Sequence, residues 1–302
     1  MAQHRSKEWS ALASLPSKWV VVVAFISALG LSACELNSSL EATWPPMQMV
    51  PAAQTEQAAQ AAQEVSSQDA EKEQKLVMQY NAAVHDALTV EDDELFPVVS
   101  LKQGEPFVTY DQQGRVLLLT VHHVPEVFVA GQQDELKMAT WTFTDKEFAA
   151  WLSYILATNQ EPADWTVRVN QLLGMPHARH STHVSALWVW PQDIKRPAYT
   201  TDIFTTKMSA SFQDPYANHD PDYQTWFNGN IISSYFSGYD YPWTRLGYTY
   251  DWGSPSTEYG LSEFLVRVGA PFEVAYTMPI MDFVEHMKQQ VKQEEQEAPE
   301  DQ

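Results

Sequence analysis

Hydrophobic positions along this chain recur with two periods, and the switches between them outline a mixed fold. Leu76, Val77, Tyr80, Val84 and Leu88 follow one another at helical spacing, with Glu71, Glu73, Lys75 and Gln79 between them. That pattern predicts an amphipathic helix docked on a core, with order beginning near Ala70. The period then shortens. Residues 106–110, Asp111-Gln112-Gln113-Gly114 and residues 115–122 read as a hairpin, with Gly114 supplying a left-handed turn residue. Residues 116–121 are almost wholly apolar and predict a central strand, and residues 139–143 a second, short one. Thr144-Asp145-Lys146-Glu147 has the pattern of a capping box, and Phe148, Trp151, Leu152 and Ile155 form the buried stripe of the helix it opens. Residues 165–173 predict another helix, stopped by Gly174 and Pro176. Residues 184–190 predict a strand and 191–194 a single helical turn. Asp220 and Pro221 suit the cap and first position of a helix that turns Tyr223, Trp226 and Phe227 inward. Two strands, 262–268 and 272–276, meet at Gly269-Ala270-Pro271, and residues 279–291 form a last helix. Strands and helices alternate without a βαβ rhythm. The expectation is an α+β domain with a mixed or antiparallel sheet and packed helices.

The two ends break this pattern. His4, Arg5, Lys7 and Lys18 precede an apolar run, residues 19–33, that is short for a membrane span of about 20 residues. The run ends in Leu31-Ser32-Ala33-Cys34. Residues 35–69 are rich in Asn, Ser, Ala, Gln and Glu, and few of them could bury surface, which reads as a tether; residues 53–65 favour a transient helix within it. Residues 293–302 read as a disordered acidic tail. The expected organisation is a leader over 1–33, an anchoring cysteine and tether over 34–69, the globular domain over 70–285, and the helix end and tail over 286–302. Leu-Ser-Ala-Cys resembles the bacterial lipobox, where signal peptidase II cuts before the cysteine and the new terminus is acylated. The resemblance implies a lipoprotein of the cell envelope, with palmitate among its acyl chains, held to the membrane through Cys34. Glu35, where Asp would favour the inner membrane, leans toward the outer membrane of a Gram-negative host.

Charge narrows the partners. A formal net charge of −21 repels phosphate backbones and disfavours nucleic acid. Cys34 is the only cysteine, so its acylation leaves no thiol for a disulfide or a nucleophile. The chain has no Gly-x-Ser-x-Gly, Ser-x-x-Lys, phosphate-loop or dinucleotide motif, and no cofactor is indicated. His177, His180 and His183 are spaced by three on a loop entering a strand. That spacing does not converge the rings on zinc, and no metal is expected.

The densest chemistry is aromatic. Between residues 188 and 252, 17 of 65 residues are Trp, Tyr or Phe, against 12% of the whole chain. Aromatic faces stack on sugars and cations, and they also fill cores. In the run 239–253 tyrosines alternate with polar residues, which points to a groove wall. Tyr239, Tyr241, Trp243, Tyr248, Tyr250 and Trp252 would make the contacts, and Arg245 and Asp251 would orient a polar group. The ligand would be an envelope glycan, a peptide or a partner protein.

Two resemblances extend over this region. Residues 116–120, 141–147, 241–253 and 260–264 are similar to a family of exported bacterial proteins with no assigned activity. That implies one domain over about residues 75–277 and supplies no catalytic residue. Residues 262–274 are similar to the strand bearing the catalytic glutamate of ADP-ribosyltransferase-type toxins. This second likeness implies an enzyme acting on a glycosidic or N-glycosidic bond, as an NAD glycohydrolase does. Glu263 would be its essential carboxylate, Ser233 part of its serine motif, and Arg196 or Arg245 its anion clamp. Arg245 lies only 18 residues before Glu263, which leaves no room for intervening strands. Arg196 is better spaced but precedes Pro197. Glu263 and Arg267 share one strand face, so a solvated pair is the simpler account.

Overall fold

Residues 116–119 are buried on both sides of their strand, and that strand lies in the middle of a sheet. The computed structural model describes residues 52–176, 181–217, 220–238 and 240–297. The leader, Cys34, His177, His180 and Tyr239 lie outside the described residues. In chain order the elements are α1 (Ala52–Asp86), β1 (Val116–His122), β2 (Gln133–Glu135), β3 (Thr140–Thr144), α2 (Asp145–Ala157), α3 (Trp165–Leu172), β4 (His183–Val189), β5 (Ile194–Lys195), α4 (Pro221–Tyr235), β6 (Tyr248–Tyr250), β7 (Tyr259–Ser262), β8 (Phe264–Val266), β9 (Pro271–Pro279) and α5 (Ile280–Glu297). The fold is α+β. Seven strands pair antiparallel in the order β2-β9-β4-β1-β3-β8-β5, and β6 and β7 form a small second sheet.

The pleat divides the sheet between two cores. Leu117 and Leu119 point to the face covered by α2, α3 and α5, where they meet Phe148, Leu152, Val169 and Phe283. Val116 and Leu118 point to the other face, which is closed by Val99, Leu101, Val108, Phe128 and Leu136 from irregular segments. Strand β9 serves both. Its register against β4 jumps from Ala186–Tyr276 to Leu187–Val274, leaving Ala275 as an extra residue. One extra residue reverses the alternation. Phe272 and Val274 therefore join the second core, while Tyr276 and Met278 pack on the first. A third cluster is aromatic: Tyr223, Phe227 and Tyr235 of α4 pack with Trp243 and with Ala87 just beyond α1.

Two features of the sheet position the site. The ladder between β1 and β3 has only two pairs, Leu118–Thr144 and Leu119–Phe143, so the sheet forks beyond them. Between β7 and β8 a single residue, Glu263, carries the chain from the small sheet into the large one.

Several local expectations change. The helix expected from Ala70 begins at Ala52, because an Ala-, Gln- and Glu-rich segment propagates a helix at little cost once a docked turn has nucleated it. The last helix likewise runs to Glu297, into the stretch read as a tail. The hairpin turn closes through Asp111 N–H to Arg115 O, but its first arm is reduced to a single bridge between Tyr110 and Val116. The capping box is not formed. Thr144 makes no side-chain cap bond, and Glu147 turns inward to Tyr259 and Ser262. Asp220 does cap α4, accepting from the Asp222 and Tyr223 N–H groups.

Gly247 lies at φ +82°, and a Cβ there would sit 2.6 Å from Cδ of buried Arg196; Gly114, at φ +88°, faces open space. Gly114→Ala should lose about 1–2 kcal/mol, the cost of a left-handed non-glycine residue. Gly247→Ala should lose that and about 1–3 kcal/mol more from overpacking. Urea midpoints of the two variants check the difference, and equal losses would show that Arg196 yields.

Candidate functional site

Beyond the Leu119–Phe143 pair the fork widens into a cavity of about 850 Å³. Residues 120–124, at the end of β1, form one wall, and residues 138–143, along β3, another. The end of α3 contributes Leu173 and Met175, α4 contributes Asn230 and Ser233, and the aromatic run contributes Tyr241, Pro242, Trp243, Tyr248 and Tyr250. Trp141 is 36% exposed, and its ring meets that of Trp243 edge to face. The exposed wall is chiefly apolar and aromatic, and His122, His123, Asp134, Glu135, Lys137 and Glu263 also line it.

Glu263 is the ionisable group that stands out among them. Its N–H donates to Gly247 O at 2.9 Å, which fixes the backbone where the chain changes sheets. Part of the residue lines the cavity, but Oε2 is out of reach of solvent and has no hydrogen-bond partner. Burial holds this carboxyl well above the usual carboxylate range, and the nearby charge of Arg196 only partly opposes the shift. Protonated, the carboxyl can donate a hydrogen bond; ionised, it can pair with a cation.

Behind Glu263 lies a buried polar cluster. Arg196 is fully buried; it donates to Val99 O at 2.7 Å and Gly247 O at 3.4 Å, and lies over the Phe264 ring at 4.6 Å. Burial lowers its pKa to about 10, against the opposing charge of Glu147, so it stays a cation at neutral pH. Glu147 accepts from the Tyr259 hydroxyl, the Ser262 N–H and the Ser262 hydroxyl, each at 2.9 Å. Burial raises its carboxyl, and these bonds work the other way.

The structure distributes the expected site residues unevenly. Tyr241, Trp243, Tyr248, Tyr250, Ser233 and Glu263 share the cavity. Arg245, Asp251 and Trp252 bond within the fold instead. Arg245 sits at φ +63° and donates to Ala87 O at 2.6 Å and Leu88 O at 3.0 Å, capping the carbonyls that follow α1. Asp251 is held by both terminal nitrogens of Arg168, at 2.8 and 2.6 Å. Trp252 donates to Met175 O and packs edge to face on Tyr80. Arg267 pairs with Asp193, so the solvated Glu263–Arg267 pair is not formed. The Ser233 hydroxyl donates to Gly229 O within its own helix. His183 stacks on His122 with ring centroids 6.1 Å apart. Trp141, Leu173 and Met175 were not anticipated; only Trp141, a large aromatic between two threonines on a strand, carried a signal.

The tyrosines of the run also serve a second cluster. Oxygens of Asp86, Glu94 and Glu258 lie within 4.8 Å of one another. The Tyr248 hydroxyl bonds Glu258, and the Tyr250 hydroxyl donates to Asp86 at 2.7 Å. Burial, with the charges of Glu94, Asp86 and Glu91 behind it, raises Glu258 to about 7, while its bond from Tyr248 acts in the opposite direction.

No known protein family, curated protein or solved structure matches this chain.

Glu258 binds its proton more tightly in the folded protein than in the unfolded chain. The stability this contributes is present below about pH 4.5 and is lost as pH rises through about 7. Stability measured by urea unfolding should therefore decline from pH 4.5 to 8 more steeply in the wild type than in Glu258→Gln. Parallel profiles would show that Glu258 titrates as an ordinary carboxylate.

Proposed function

We propose that this chain is an extracytoplasmic binding module, anchored to the cell envelope through an acylated Cys34, that takes an envelope ligand into the cavity beside Glu263. The observation that carries the reading is the unpartnered Oε2 of Glu263, buried on the wall of an aromatic cavity of about 850 Å³. An unsatisfied buried polar atom costs about 1–3 kcal/mol, and a bound donor would recover it. The volume lies within the roughly 300–1,000 Å³ typical of small-ligand pockets. Trp141, 36% exposed, offers its ring to a sugar or an apolar side chain, with Trp243 and Tyr250 lining the wall beside it.

Binding is favoured over bond cleavage because the groups that would have to assist Glu263 are occupied. Arg196 and Arg245 are bonded to main-chain carbonyls, and neither lines the cavity. Ser233 lines it, but its hydroxyl is bonded to its own helix. The anchor follows from Leu31-Ser32-Ala33-Cys34 and the apolar run before it. Such an anchor would hold the cavity close to envelope glycans and proteins, on the outer membrane if the host is Gram-negative. The net charge of −21 supports a partner other than nucleic acid.

The cavity is tested with peptidoglycan fragments, neutral oligosaccharides and short peptides, read by calorimetry and thermal shift. At least one class should bind, and Glu263→Gln and Trp141→Ala should each weaken it about tenfold or more, 1.4 kcal/mol. Binding that both variants leave unchanged would overturn the reading, as would the failure of every class. The anchor is tested by intact mass of protein extracted from membranes. The wild type should carry acyl chains and Cys34→Ala should be unacylated and released; an acylated, membrane-bound Cys34→Ala would overturn it.

A further inference from the structure

The fork has a main-chain chemistry of its own. Strand β1 stays paired to β4 along its whole length, and β3 stays paired to β8 from Thr140 to Thr142. What is missing is the ladder between them past Leu119 and Phe143. The pleat decides which groups face the gap. Leu117 donates its N–H to Thr109 O, on the edge of β1 away from β4, so the odd-numbered residues of β1 address that edge. Leu119 meets Phe143 there. The next residue in that row is Val121, and a continued ladder would join its N–H to the Trp141 carbonyl. That bond is not made, and Val121 and Trp141 both line the cavity.

A strand donor and a strand acceptor thus lie unpaired inside a sheet rather than at its rim. Exposed strand edges of this kind are what extended peptides bind by adding a strand. The closed end of the fork carries the charge. Extending the Thr142–Phe264 register by one residue brings Glu263 beside Phe143, where its Oε2 has no partner. Asp134 and Glu135 also line the cavity, and its one lysine, Lys137, is bonded to Asp134 at 3.0 Å.

We propose that the fork receives an extended peptide segment bearing a cationic side chain. Its main chain completes the interrupted ladder at Val121 and Trp141, and its ammonium or guanidinium group pairs with Glu263. This assignment rests on the binding reading above and narrows it to one ligand class. A glycan can stack on the aromatic wall, but it lacks the in-line N–H and C=O groups that match a strand edge.

The test uses a library of N-acetylated pentapeptide amides against the whole chain. Each peptide that binds is resynthesised with a methyl on one backbone nitrogen at a time, and with its lysine or arginine replaced by norleucine. Methylation should cost tenfold or more at one or two alternate positions and little at their neighbours. Norleucine should cost tenfold or more against the wild type and about twofold or less against Glu263→Gln. Amide exchange should be fast at Val121 in the free protein, slow at Thr120 and Thr142, and slowed at Val121 by the peptide. An even loss at every methylated position, or a slowly exchanging Val121 in the free protein, would overturn strand addition. A norleucine effect that survives Glu263→Gln would overturn the charge pairing. If no peptide binds while oligosaccharides still do, the peptide assignment falls and the binding reading stands; if neither binds, both fall.

Discussion

The rest of the structure is arranged around one buried charge. Arg196 has no exposed surface, and a guanidinium in an apolar interior is costly without acceptors and opposite charge close by. Val99 and Gly247 supply carbonyls, Phe264 supplies a ring face, and Glu147 and Glu263 supply negative potential. These groups come from the segment that closes the second core, the loop entering β6, strand β8, and the first turn of α2. Accommodating this one side chain, whose Nε has no hydrogen-bond partner, therefore fixes how four remote segments meet. It also explains why residue 247 must be glycine: a Cβ would occupy the space of the Arg196 stem.

The same arrangement leaves Glu263 where it is. Glu147, on the other side of Arg196, is fully engaged by Tyr259 and Ser262, so it is a structural acceptor. Glu263 feels the Arg196 charge at a distance, but no group in the fold bonds its Oε2. Two carboxyls near the same arginine thus have different capacities. One is satisfied by the fold, and the other retains its hydrogen-bonding capacity for something that enters the cavity.

Much of the frame was legible locally. The apolar run of β1, the stripe of α2 and the Asp220-Pro221 start of α4 follow from period and capping alone, because each is decided by residues a few positions apart. Strands β2 and β5 were not legible: three exposed polar residues and two residues at a sheet edge carry no alternation. Residues 262–268 read as one strand, whereas the chain changes sheets at Glu263, a break that no local residue marks. Arg245 and Asp251 looked like exposed ligand groups because their partners, the Ala87 carbonyl and Arg168, lie 158 and 83 residues away. The aromatic run was legible as composition only. Whether a tyrosine lines a cavity or bonds a carboxylate depended on where Asp86 and Glu258 came to rest.

The fork and the free carboxyl are both unfavourable in isolation. A strand N–H and C=O left without protein partners, and a carboxyl buried without a donor, are features that selection for stability alone would remove, for example by continuing the β1–β3 ladder and placing an apolar residue at position 263. Local conflicts of this kind tend to mark functional positions. Here the two conflicts lie on the walls of the same cavity and are complementary in chemistry. A strand with a cationic side chain would meet the main chain of Val121 and Trp141 and the carboxyl of Glu263 in one pose. A ligand relieving only one of them would leave the other conflict without a purpose, and that coincidence is the strongest reason to treat fork and carboxyl as one site.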